Sequence, residues 1–392
     1  MRYAAITERL AGLGGEKWAV HNKARKMAAQ GQKVIELTIG EPDVATPPDL
    51  IAAASQAMQA GRTGYSNGQG EAGLLRALAA QYSARRGREI SQDQIMCFPG
   101  TQTTSFAVLT ALLGPGDEVL VGDPMYACYE GLMAATGAKM VPVPLSAEAG
   151  FRIQAADIAA RITPASRVIF LNSPHNPTGA ILTRGDLEAI GALAKAHDLW
   201  IFCDEVYEDM VFAGRQFVSP LDLPDLAERV VVASSISKSH AAPGFRSGWC
   251  VGPQEFIQRL LPLSETMLFG NQPFIADMTA VAIRAGSSVA PGMVERFARR
   301  ADLVFDRLEG VAGMQVHKPD AGMFALVNVA AVTADGQRFA IDLLEQAGVA
   351  VMPGASFGTA LRSWLRLSLT QPDDVIEEAC RRIAEFAKGY KP

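Results

Sequence analysis

Cysteine is scarce and scattered: Cys97, Cys128, Cys203, Cys250 and Cys380 are five in 392 residues, with no C-x-x-C pair. An odd, unpaired set argues against a disulfide framework or a zinc ribbon. Cys97, Cys203 and Cys250 lie within apolar runs and read as small core residues. Histidine is equally sparse, and its five occurrences form neither an i, i+4 pair nor an H-E-x-x-H pattern, so no metal site is expected. Basic stripes are missing too. With a net charge of −5 and no run of Lys and Arg along one face, the chain lacks the electrostatic footprint of a nucleic-acid binder. The short cluster Arg85-Arg86-Gly87-Arg88 reads as a solvated helix end. No segment reaches the ~18 uninterrupted apolar residues of a membrane span. The opening Met1-Arg2-Tyr3-Ala4-Ala5-Ile6 has no apolar run of signal-peptide length, and a cytoplasmic protein is expected. Repeats and low-complexity tracts are also absent, with Gly and Pro spread as turn punctuation.

What is present is a large core, since 49% of the residues are hydrophobic. From about residue 94 to 252, strand-like and helix-like runs alternate. The candidate strands are 94–98, 118–121, 139–143, 167–171, 199–203, 229–233 and 247–251, several of them apolar nearly throughout, as in strands covered on both faces. The pattern predicts an α/β fold with a mostly parallel seven-stranded sheet between helices. After Gly286 it changes to a charged helix (Val294 to Leu308), a strand at Met323 to Val327, a helix from Gly336 to Gly348 and a strand at Trp364 to Leu367. That predicts a smaller α+β unit, to which a helix at Lys17 to Gln30 and a strand at Val34 to Ile39 also belong. The expected division is 1–45 with the small unit, 46–286 as the large unit and 287–392 as the rest of the small one.

The polar segments with chemical character start where these strands stop, and open α/β sheets bind ligands there. Ser235-Ile236-Ser237-Lys238 follows the strand at 229–233, and Arg246 lies eight residues beyond the lysine in Pro243-Gly244-Phe245-Arg246-Ser247-Gly248. A lysine, hydroxyls and an arginine at this spacing can hold an aldehyde by its carbonyl and a phosphate by its charge; taken alone, the lysine fits an exposed strand end better. Pro99-Gly100-Thr101-Gln102-Thr103 precedes a helix expected at Thr104 to Leu113, where free N–H groups and the helix dipole favour a phosphate beside Ser235 and Arg246. Asp204 closes a strand, with Tyr207 three residues on. A carboxylate about 4 Å from a pyridinium nitrogen is worth about 4 kcal/mol at an effective dielectric near 20. A helix N-cap is the competing role for Asp204, equally open at this point. Two X-Pro steps make a rigid loop of Asn172-Ser173-Pro174-His175-Asn176-Pro177-Thr178-Gly179, in which Asn176 can bond a ring oxygen and His175 is structural. Tyr126 can stack on a flat ring or pack between helices.

Lys238 with Arg246, the Asn176-Pro177-Thr178-Gly179 loop, Asp204 with Tyr207, Gly40-Glu41-Pro42-Asp43 and Leu365-Arg366-Leu367-Ser368 together resemble the class I/II aminotransferases of the fold-type I pyridoxal phosphate enzymes. The similarity runs from about residue 8 to 388. It implies a pyridoxal 5'-phosphate cofactor, L-amino acid and 2-oxo acid substrates exchanged by a ping-pong mechanism, and an obligate homodimer. By the resemblance, Lys238 holds the cofactor aldehyde and later moves the Cα proton. Asp204 pairs with the ring nitrogen, Tyr207 and Asn176 contact the ring oxygen, and Tyr126 stacks. The same resemblance gives the phosphate to Gly100, Thr101, Gln102, Ser235 and Arg246, joined by Tyr65 of the neighbouring subunit. Arg366, helped by Asn176 and the Gly40 backbone, holds the substrate α-carboxylate, for which the planar guanidinium fork is suited.

Bacterial aspartate aminotransferases of the similar subgroup carry a lysine for the distal carboxylate where this chain has Gln102, which weakens a dicarboxylate assignment. The opening, from Met1-Arg2-Tyr3 through Trp18-Ala19-Val20-His21, resembles arginine:pyruvate aminotransferases. Trp18 with Glu16 can receive a cationic side chain, although packing under the domain hinge is the stronger alternative for Trp18. Arginine with pyruvate therefore ranks first, ahead of an aspartate or aromatic donor or a β-lyase reaction on the same fold.

Overall fold

The computed structural model describes residues 1–391. In chain order its strands are β1 (Ile35–Leu37), β2 (Ile95–Phe98), β3 (Glu118–Asp123), β4 (Lys139–Pro144), β5 (Ser166–Asn172), β6 (Trp200–Asp204), β7 (Val230–Ser235), β8 (Gly248–Val251), β9 (Gln315–His317), β10 (Phe324–Asn328), β11 (Val349–Pro353) and β12 (Trp364–Ser368). They form a seven-stranded sheet of order β2-β8-β7-β6-β5-β3-β4 and a five-stranded sheet of order β1-β11-β12-β10-β9. In the larger sheet β4, β3, β5, β6 and β7 run parallel, and β8 is antiparallel to both β7 and β2. The expected α/β architecture is present, with all seven predicted strands in it.

Strands β2, β7 and β8 are buried at every position, as the apolar runs require of strands covered on both faces. Alternation still divides the side chains. Ile201 and Cys203 pack with Tyr82, Leu187 and Trp249 on one face, while Phe202 packs with Phe98, Tyr129 and Phe170 on the other. The three cysteines predicted to be core residues, Cys97, Cys203 and Cys250, are free and buried. In the smaller sheet β1 pairs parallel with β11, so this amino-terminal strand joins a sheet of carboxy-terminal strands.

Helix ends follow local chemistry. Thr183 and Asp186 form a capping box at the start of Arg184–Ala196, of a kind worth about 1 kcal/mol. The helix Ala72–Arg86 stops at Gly87, whose φ of 63° places it in the left-handed region. Other ends were misplaced by sequence reading. The first long helix spans Ala19–Ala29, with Trp18 as its N-cap, and the charged helix starts at Ala290 because Pro291 fits its first turn. Arg86 also departs from the expectation of a solvated helix end. Its side chain is only 5% exposed, inside a network of carboxyl groups.

Candidate active site

Gly100, at the end of β2, opens the helix Gly100–Leu112. This corrects the predicted start at Thr104. The Thr103 and Thr104 hydroxyls donate back to the carbonyls of Pro99 and Gly100, at 3.1 and 3.0 Å, so these polar residues are satisfied inside the first turn. Thr101 and Gln102 then lie among the N–H groups that an α-helix leaves free. Thr101 Oγ1 is buried with no hydrogen-bond partner. Gly248 lets β8 pass directly over this turn, since a Cβ there would stand 2.8 Å from the Thr101 nitrogen. A Cβ on Gly100 would meet Arg246 Nη2 at 2.4 Å, so the absence of a side chain admits the guanidinium to the helix N-terminus. Arg246 itself holds a left-handed φ of 50° and donates to the Pro243 carbonyl at 2.9 Å. Ser235, buried at the end of β7, pairs in register with Gly248 and completes this corner.

Asp204 ends β6 in register with Asn172 of β5 and Ala233 of β7. No helix follows it, so the N-cap role is replaced by a turn in which Val206 N–H donates to Asp204 Oδ1 at 3.1 Å. Burial pushes the Asp204 carboxyl up to about 6, against hydrogen bonds from Tyr129 and Val206. The Tyr129 hydroxyl donates to Asp204 Oδ2 at 2.8 Å. Asn172 Nδ2 donates to the Asp204 carbonyl at 2.9 Å, and its Oδ1 accepts from Asn176 N–H at 2.8 Å. Thus one amide ties the strand end to the loop that presents Asn176. Tyr207 is buried beside Asn176 and Arg366. His175 belongs to the back of this loop. Its Nδ1 lies 2.8 Å from Thr178 Oγ1, and burial drives it down to about 4, neutral at ordinary pH.

Lys238 follows β7, and its Nζ donates to the Gly40 carbonyl at 2.6 Å. Burial lowers its ammonium to about 8; Glu41 opposes this, and Arg366 and Arg246 add to it. Arg366 projects from β12, 2% exposed, between the rings of Phe324 and Phe357 at 3.8 and 4.4 Å. Its Nη2 donates to the Thr38 carbonyl at 2.6 Å and its Nη1 to Asn176 Oδ1 at 3.1 Å, while Nε is buried without a partner. Burial brings the guanidinium down to about 10, so it stays charged.

Trp18, Gly40, Thr101, Gln102, Tyr126, Asn176, Asp204, Tyr207, Ser235, Lys238, Arg246 and Arg366 line one cleft of about 910 Å³. Three sequence candidates do not: Gly100, which lies under the Arg246 guanidinium, Tyr65 and Glu16. Tyr65 is 93% exposed and stacks edge-on with Phe269 at 5.8 Å, and Glu16 is exposed outside the lining. Sequence reading missed Tyr129, whose partner is 75 residues away, and the aromatic pair around Arg366. The spacing of Tyr126 and Tyr129, one helical turn apart, was the available signal for the former.

The residues 32–383 match the family described as aminotransferase class I and II. The chain belongs to this family. It is 41% identical over 384 residues to the arginine–pyruvate transaminase of Pseudomonas aeruginosa, covering 98% of each chain. The aspartate/prephenate aminotransferase of Cereibacter sphaeroides is 34% identical, with 95% of each covered. Among solved structures, the Thermus thermophilus aspartate aminotransferase with maleate superposes with a TM-score of 0.91 at 30% identity, over 98% of this chain and 100% of that one. The protein is a pyridoxal phosphate-dependent aminotransferase that acts on amino acids and 2-oxo acids.

The cleft fits that cofactor on its own chemistry. A buried, unpartnered threonine hydroxyl at a helix N-terminus suits a phosphate. A buried carboxyl suits a ring cation, and a lysine lowered to about 8 keeps roughly a tenth of its amine unprotonated at pH 7, far more than an ordinary lysine. When bound, pyridoxal phosphate supplies an electron sink that acidifies the substrate Cα–H.

Proposed function

We propose that Lys238 is the residue that holds the cofactor aldehyde and carries the Cα proton, with Asp204 and Tyr129 behind the ring nitrogen and Tyr207 and Asn176 at the ring oxygen. Thr101, Gln102, Ser235 and Arg246 hold the phosphate, with Gly100 leaving room for the arginine. Tyr126 covers the ring. Arg366 receives the substrate α-carboxylate, and the observation that carries this is its unpartnered Nε beside two satisfied Nη groups, in a fork clamped between two aromatic faces. A planar carboxylate can use Nε and the remaining Nη hydrogens without displacing the fork.

The preferred donor is arginine and the acceptor pyruvate. Support comes from the 41% identical relative and from the cleft wall. Lys238, Arg246 and Arg366 are the cations among its described lining residues, and each already has a role, so this chain offers no further cation to a distal carboxylate. Trp18 lines the cleft, and Glu41, exposed next to Gly40 and outside that lining, is the carboxylate that most favours a positive charge at Lys238. An aromatic face and a carboxylate together suit a guanidinium. Tyr65, exposed with Phe269, completes the phosphate site of a second copy in a cytoplasmic homodimer. The segments 1–45 and 287–392 form one unit, and 46–286 the other.

A half-reaction screen tests the donor: each amino acid is mixed with the loaded enzyme and conversion of the aldehyde to the amine form is followed spectroscopically. Arginine is expected among the fastest donors, with Glu41→Gln slowing arginine about threefold to fivefold more than an apolar donor. Fast conversion of aspartate with slow conversion of arginine would overturn the assignment.

A further inference from the structure

The residue after Asp204 points the other way. Glu205 N–H continues the ladder to the Ala233 carbonyl at 2.8 Å, but its side chain enters the face that carries Cys203, Tyr82 and Trp249, and it is fully buried. Ser219 Oγ donates to Glu205 Oε1 at 2.6 Å, while Oε2 stands 3.7 Å from Arg86 Nη2 with no hydrogen bond. Arg86 is shared. It reaches Glu208 at 3.1 Å and Asp222 at 3.4 Å, and Arg85 pairs with Glu208 and Asp209 at 3.0 Å each. Ser219 N–H in turn donates to Asp222 Oδ2 at 2.8 Å. The groups facing Glu205 are therefore Arg85, Arg86 and Tyr82 from the helix Ala72–Arg86, Glu208 and Asp209 from its own turn, and Ser219 and Asp222 from the following loop. Arg88 acts on Asp222 from farther off, and His240 lies near Asp209 and Arg85.

The same short turn carries the cleft residues. The Glu205 carbonyl accepts from Glu208 N–H at 2.9 Å and the Tyr207 carbonyl from Met210 N–H at 2.8 Å, so Asp204, Glu205 and Tyr207 share one backbone unit. We propose that Glu205 is a positioning residue, held by the Ser219 hydroxyl beside Arg86 behind the sheet, which fixes this turn and thereby aims Asp204 and Tyr207 into the cleft. Four carboxyl groups face two guanidiniums at ion-pair distance, an arrangement that favours a proton on the most buried acid. Burial raises the Glu205 carboxyl well above the usual range in agreement with that count. A neutral Glu205 holds Ser219 without placing an uncompensated charge under the site. The inference rests on the proposed roles of Asp204 and Tyr207 at the cofactor ring.

The test is a pH titration of the visible absorption of the bound cofactor in the holoenzyme, with Asp204→Ala as reference. Glu205→Leu is expected to move the midpoint in the same direction as Asp204→Ala, by a threefold to tenfold change in the protonation equilibrium, where about one pH unit is tenfold. It is expected to lower kcat about tenfold with KM for the amino acid changed less than about threefold. Glu205→Gln, which copies the neutral acid, restores both. If Glu205→Leu does not fold, Ser219→Ala removes only the hydroxyl and decides the matter by the same shift. A wild-type midpoint in a folded Glu205→Leu or Ser219→Ala protein overturns the proposal, whatever happens to thermal stability. If Asp204→Ala itself leaves the midpoint in place, the ring-nitrogen role of Asp204 fails first, and the role of Glu205 falls with it.

Discussion

Asp204 and Glu205 are neighbours in the chain, both fully buried, and both raised by burial, yet they face opposite sides of one sheet. Asp204 is approached by the Tyr129 hydroxyl and a backbone N–H, and the nearby cation of Lys238 is itself weakened. In the proposed assignment its negative charge serves a cationic ring. Glu205 is surrounded by competing acids and two shared arginines, and its charge has no such outlet. The difference lies in the partner each face supplies, since the burial is common to both.

That comparison breaks most visibly at Asp204. In the proposed pairing with a ring cation, Asp204→Ala removes about 4 kcal/mol and is expected to lower kcat about 10³-fold, measured in single-turnover half-reactions at saturating donor. Arg86→Met acts on the other face. It leaves Glu208 and Asp222 with fewer cations in a buried site and is expected to cost about 3 kcal/mol of stability in denaturant unfolding, with a smaller effect on the half-reaction than Asp204→Ala. The smallest effect belongs to Tyr129→Phe. It deletes one hydrogen bond to a buried carboxyl, about 1 kcal/mol, and pushes Asp204 further up from about 6. Because the folded value already exceeds the ordinary 3.8, the stability associated with Asp204 is complete below 3.8 and is lost as pH rises through about 6. In cofactor-free protein, the stability deficit of the variant against its parent should therefore widen as pH rises past about 6, read from unfolding midpoints at several pH values. A deficit that narrows with rising pH would mean that the tyrosine does not favour the ionised carboxyl.

The larger sheet was readable because strands covered on both faces are apolar runs, and the residues with chemistry begin where those runs end. Lys238, Asp204 and Asn176 lie at or just after such ends, while Arg246 precedes β8, whose start lies at the same edge because β8 runs antiparallel to β7. Other features depend on contacts that spacing does not encode. Tyr129 reaches across 75 residues to Asp204, and the unusual environment of Arg366 is made by Phe324 and Phe357 from separate elements. Arg86 looked like a solvated helix end because its carboxyl partners lie more than a hundred residues further on. The start of the helix at Gly100 was hidden by threonines whose hydroxyls turn back onto the helix itself. Glu16, picked for its place near Trp18, lies outside the cleft lining, as Glu41 does, but Glu41 acts on Lys238 from its place next to Gly40.

The central claim is that Lys238 is the amine that holds the cofactor. Borohydride reduction of the loaded enzyme followed by proteolysis and peptide mass analysis tests it directly: the reduced cofactor is expected on the peptide containing Lys238, and no visible cofactor absorption should form in Lys238→Ala. A label on another lysine, or a normal absorption band in Lys238→Ala, would contradict it.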